Sequence, residues 1–131
     1  MPIDDAKLAD WQVEIAHQFE TEIKVHFAAE EQIVFPAARV FGELNPLIED
    51  LLTDHQRLRA CFAKAEARQS SQEELLAFAR RLAEHVRKEE RQLFERLQEL
   101  MPKEDLSALG RQLDRALENA SRVCSLPNPT K

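Results

Sequence analysis

Tyrosine is absent from the 131 residues, which removes tyrosyl-radical chemistry, and only two glycines are present. With so few flexible positions there is little room for the tight turns of a sandwich or a doubly wound sheet. Cysteine is equally scarce. Cys61 and Cys124 stand 63 residues apart in no Cys-x-x-Cys pattern, which argues against a disulfide framework and a thiolate zinc knuckle. No apolar run is long enough to span a membrane, and the acidic N-terminus lacks the basic flank of a secretory signal, so a cytoplasmic chain is expected. Positive charge is also in deficit: 18 Lys plus Arg against 24 Asp plus Glu leave a net charge of −6, which disfavours a nucleic-acid partner.

What remains is rich in Ala, Leu, Glu, Gln and Arg, with 44% hydrophobic and 32% charged residues, the composition of an all-α domain. From Leu8, the apolar positions Trp11, Ile15, Phe19, Ile23, Ile33 and Ala37 recur at helical spacing and predict one long helix from about residue 4. Pro36 interrupts it, so Ala37 to Phe41 reads as a kinked continuation or a separate short turn, ended by Gly42. Asn45-Pro46 opens a second helix that fades near Arg68, with Ile48, Leu51, Leu52, Leu58 and Phe62 on one face. Ser71 and Glu74 form a capping box for a third helix carrying Leu75, Phe78, Leu82, Leu93 and Leu97. Pro102 opens a fourth helix to about Val123, with Leu106, Leu109, Leu113 and Leu117 inward. Short loops between four amphipathic helices imply an antiparallel bundle over residues 1–123, followed by a disordered tail over 124–131.

A repeat stands out against this background. His26-Phe-Ala-Ala-Glu30-Glu31-Gln-Ile-Val34-Phe35 returns 59 residues later as His85-Val-Arg-Lys-Glu89-Glu90-Arg-Gln-Leu93-Phe94. At about 100° per residue, a spacing of four leaves each His and the first Glu roughly 40° apart, while the second Glu lies roughly 140° away. Glu30 and Glu89 should therefore share a face with their histidines, and Glu31 and Glu90 should face water. The same count places His26 in the middle of the stripe formed by Leu8, Phe19, Ile23, Ile33 and Ala37, and His55 among Ile48, Leu51 and Phe62. His85 and Glu89 fall at the edge of a stripe centred near Leu82 and Val86.

A single inward His is more often a core residue bonded to a carbonyl than a ligand. Three imidazoles with two carboxylates are a different matter, because an unpartnered buried carboxylate costs several kcal/mol. Arg59, one turn after His55, could neutralise one carboxylate in a purely structural network; a cation would offset both at once. Imidazole and bridging carboxylate together suit iron or manganese in a helical bundle, and five donors without thiolate favour iron over zinc. The Glu-x-x-His motif of ferritin-like sites occurs only at Glu14-Ile-Ala-His17, and His17 lies about 180° from His26.

These residues resemble the hemerythrin HHE cation-binding family: His26-x-x-x-Glu30-Glu31 before Val34-Phe35-Pro36, then Asp54-His55-x-x-Leu58-Arg59, then His85-x-x-x-Glu89-Glu90 before Leu93-Phe94. The resemblance covers about Leu8 to Leu100. It implies a four-helix bundle with a non-haem di-iron centre that binds dioxygen or responds to nitric oxide or redox state. His26, Glu30, His55, His85 and Glu89 match its metal ligands, the two glutamates as bridges. Members of the family usually begin with a further helix bearing a first His, which here would lie before Met1, and His17 cannot replace it. Glu22, one turn before His26, is the one additional inward carboxylate, and otherwise a solvated flank. Open metal positions are expected where that His is missing. A homodimer, with helix one and the last helix in contact, is expected to cover the exposed groove. A helical interaction module with a degenerate or structural metal site is the alternative function. No acid or base outside the metal shell suggests catalytic residues, although metal-activated hydrolysis or oxygenation stays open.

Overall fold

Helix-start signals fall where the apolar periodicity does. Asp4 sits in extended backbone and its carboxylate accepts the Lys7 N–H at 2.8 Å, which starts the first helix. The Ser71 hydroxyl accepts from the Glu74 N–H while the Glu74 side chain accepts from the Ser71 N–H, the reciprocal capping box expected from sequence. The computed structural model describes residues 4–125, with side chains through residue 118. Within them run helix α1 (residues 5–38), a 3-10 turn at Gly42–Leu44, α2 (Asn45–Glu66), α3 (residues 72–100) and α4 (Lys103–Ser125). The described residues contain no strand, and no helix among them is long and apolar enough to cross a membrane.

Consecutive helices reverse direction through short connections, giving an up-and-down bundle. Helix α4 packs along the middle of α1, against residues 19–34. That helix, expected to run to about Val123, ends at Ser125, and the rest of the expected tail, residues 126–131, lies outside those described.

Helices α1 and α3 are not uniform. Wide π-turns occur at Phe19–Ile23 and Glu30–Val34 in α1 and at Glu89–Phe94 in α3. Each holds one residue more than an ordinary turn, which rotates everything beyond it relative to a continuous 3.6 period. In α3 the inward residues His85, Glu89, Leu93 and Leu97 succeed each other at spacings of four, which in a pure α-helix would drift by about 40° per step. The π-turn absorbs that drift. His85 and Glu89 accordingly sit at the centre of the buried face rather than at its edge, and Val86 is 42% exposed. The π-turn at Glu30–Val34 also resolves Pro36: the Phe35 N–H bonds the Glu30 carbonyl five residues back, and the helix continues over Phe35–Ala38 without needing a proline N–H.

Two apolar clusters fill the bundle. Val34, Phe35, Ala38, Leu44, Ile48, Leu51, Leu93, Leu97 and Leu109 form one end. Phe27, Leu58, Phe62 and Phe78 form the other, with Phe19, Ile23 and Leu82 packed on it. Between them, at one level, lie Glu30, His55, His85 and Glu89.

Candidate metal centre

Helix α2 delivers His55 by a heptad-like run, Ile48, Leu51, His55, Leu58, Phe62, whose members are all buried. Helix α3 delivers His85 and Glu89 one turn apart, and α1 delivers Glu30 at the first residue of its second π-turn. Glu89 likewise opens a π-turn, so the two halves of the sequence repeat share this local geometry. Side chains of Glu30, His55, His85 and Glu89 are 9%, 0%, 2% and 6% exposed as residues. One donor atom from each lies within 4.8 Å of all the others. His55 Nε2 is 3.1 Å from His85 Nε2, 3.2 Å from Glu30 Oε1 and 3.7 Å from Glu89 Oε2, and His85 Nε2 is 3.2 Å from Glu89 Oε2.

The outer nitrogen of each ring is tethered. His55 Nδ1 meets Glu31 Oε2 at 2.6 Å, and His85 Nδ1 meets Asp54 Oδ2 at 3.0 Å. Each of these carboxylates is held in turn by a cation: Arg59 lies 2.9 Å from Glu31, and Lys88 lies 2.9 Å from Asp54. Burial works against ionisation of Glu31 and Asp54, but those partners outweigh it and hold both carboxyls below the usual range. An ionised carboxylate can only accept, so Nδ1 of each imidazole donates and Nε2 is turned inward. Phe27 stacks on the His55 ring with centroids 3.9 Å apart and fixes its plane from the side.

The interior is electrostatically tense. Burial, followed by the neighbouring Glu89, pushes Glu30 up to about 7 despite His55. Burial works against a charged His55, yet the surrounding carboxylates Glu30, Glu89 and Glu31 raise it to about 9. His85 is raised in the same way, burial opposing and Glu89 prevailing. Burial also opposes ionisation of Glu89, but His55 and His85 draw its proton off and hold it low. Without a metal the cluster is therefore neutralised by protons. Even so, Glu30 Oε1 and Glu89 Oε2 are sealed from water and make no well-formed hydrogen bond. Two orphaned carboxylate oxygens beside two inward imidazole nitrogens are the donor set a cation requires, so the residues fit one. A cleft of about 220 Å³, walled by Asp54, Arg57, Leu58, Arg81, Glu84, His85 and Lys88, reaches one of the four donors from outside.

Of the five expected ligands, the structure brings four together; His26 is exposed and stands apart from them. The reason lies in the π-turn at Phe19–Ile23. The expected stripe runs through Phe19, Ile23, His26, Ile33 and Ala37, whereas the buried one runs through Phe27, Glu30, Val34 and Ala38, one residue further on. Phe27 thus takes the place against His55 that uniform periodicity assigns to His26. Glu31 departs the other way. Expected in water, it is half-buried and orients His55, while its counterpart Glu90 is exposed as expected. Glu22 and His17 are exposed. Asp54, the residue before His55, serves His85 on the neighbouring helix, a role that periodicity along its own helix does not reveal.

The chain matches the family model described as the hemerythrin HHE cation binding domain over residues 3–97. Neither curated proteins nor solved structures gave a match.

Proposed function

This chain belongs to the hemerythrin HHE cation-binding family, and from that membership we propose that it is a non-haem iron protein whose centre is formed by Glu30, His55, His85 and Glu89. The observation that carries the reading is the pair of orphaned, buried carboxylate oxygens beside two imidazoles whose outer nitrogens are already tethered. Two imidazoles with carboxylates and no thiolate suit iron, with zinc and manganese the competing cations. Bound iron would supply a redox-active ion with positions left over for dioxygen or nitric oxide. The chain's own part is to hold the donors in a dry layer and to set the imidazole orientation through Glu31 and Asp54.

Metal analysis of protein purified without added metal tests this directly. Iron should dominate, and Glu30→Ala or Glu89→Ala should remove most of it. Protein that carries no metal and whose thermal midpoint ignores chelators would instead support a helical interaction module with a structural polar core. The self-neutralising His55 network makes that module physically possible.

A further inference from the structure

Donor spacing, the surroundings of the donors and their charge all bear on how many ions the layer holds. Ligands of a first-row cation bind at about 2.0–2.1 Å, which places neighbouring donors of a four-coordinate ion about 3.3–3.4 Å apart. Four of the six separations among the donors, 3.1, 3.2, 3.2 and 3.7 Å, scatter about that value, and all six lie within 4.8 Å, so a small inward shift of Glu30 closes the set around one ion. Two ions would lie about 3.5–4 Å from each other, and each would need further donors on its outer side.

Among the described residues no such donors join the four. Glu31 and Asp54 direct their bonded oxygens at the outer imidazole nitrogens and share them with Arg59 and Lys88. Phe27 and Phe35 wall His55 with carbon, at centroid distances of 3.9 and 5.6 Å. His26, which would have been the fifth ligand, is exposed.

Charge gives the same answer independently. Outside the layer Arg59 faces Glu31, and Lys88 is shared by Asp54 and the solvent-exposed Asp50, so the one excess negative charge there lies at the surface and within the layer only Glu30 and Glu89 balance what enters. One divalent ion is neutralised by those two carboxylates. A second would leave about two positive charges uncompensated between two apolar clusters, a cost of several kcal/mol per ion even after relaxation.

We infer that the centre takes one divalent cation per chain, held by Glu30, His55, His85 and Glu89 together, rather than a bridged pair. This rests on the metal-binding reading above, and the test separates the two. Metal-free protein is titrated anaerobically with cobalt(II), following visible absorption and heat. One equivalent per chain should saturate the intense bands of a four-coordinate ion, and the Glu30→Gln, Glu89→Gln double variant should abolish them. Saturation at two equivalents, both lost in the double variant, overturns the single-ion count and leaves metal binding intact. No uptake by the parent chain overturns both. A second readout uses iron(II)-loaded protein after oxidation: an isolated high-spin ferric resonance integrating to one spin per chain supports the count, whereas a full iron complement that is silent because two ions are coupled refutes it.

Discussion

At the level of single side chains, much of the control lies with carboxylates that never enter the donor layer. Glu31 and Asp54 fix which nitrogen of each imidazole faces inward, and partners of this kind typically change metal affinity by roughly 10–100-fold when removed. Glu31→Ala is expected to weaken iron binding by about that factor, with Glu31→Gln recovering part of it because an amide oxygen still accepts from Nδ1; affinity measured by competition with a chelator checks this. His26→Ala should leave iron content unchanged, and a large loss would show that the imidazole reaches the site after all. His85 and Glu89 were legible in the sequence as a pair one helical turn apart, and His55 because it falls among Ile48, Leu51 and Phe62; the same spacing at His26 and Glu30 brought only the Glu inward. The error at His26 and the oversight at Glu31 have one origin. Both residues lie between or within π-turns, where a count at 100° per residue runs one position out of step. Gln12 left no sequence signal, since a glutamine on a helix gives no hint of a loop 58 residues away.

Helices and their connections set the next scale. The turn from α2 to α3 is pinned by buried Gln12, whose side-chain oxygen accepts the Ser70 N–H at 2.8 Å. Gln12→Ala strands that N–H and should cost about 1–3 kcal/mol, read as a lower denaturant midpoint at unchanged slope. Two residues earlier, Arg68 ends α2 with φ of 59°, a left-handed cap that glycine adopts without strain. Arg68→Gly should stabilise the protein by about 0.5–1 kcal/mol, visible as a raised thermal midpoint; a lowered one would mean the Arg side chain contributes more than its backbone costs. The start at Ser71 was legible because its capping box is local chemistry, whereas Asn45, expected as an N-cap, is already the first helical residue, follows Leu44 at the cap and makes no capping bond. The behaviour at Pro36 could not be chosen from sequence, since the widened turn that accommodates it depends on Glu30 being drawn inward by the other helices.

For the whole molecule, the protons held in the layer tie stability to pH. In metal-free protein the folded His55 titrates near 9 against 6.5 unfolded, so its contribution is complete below 6.5 and is lost as pH rises through about 9. Glu30, raised from 4.5 to about 7, has the same sign: its ionisation penalises the fold increasingly across that interval. The metal-free thermal midpoint should therefore decline from about pH 6 to pH 9. Metal requires the same groups deprotonated, so the difference in midpoint between loaded and metal-free protein should widen over the same span. A gap that narrows toward pH 9 would contradict the ligand assignment. The polar layer also divides the hydrophobic interior into two blocks, each built from all-carbon contacts of its own. A metal bound there would rivet four side chains from three helices across that division, where protonated side chains tie it less firmly. Loaded protein should accordingly melt in a single step, with calorimetric and van't Hoff enthalpies equal. Stripped protein should lose that equality, and amide exchange should show the Phe27, Phe62 and Phe78 block opening while the Ile48, Leu51 and Leu97 block is still closed. The cation would then act as the element that makes two half-cores fold as one cooperative unit.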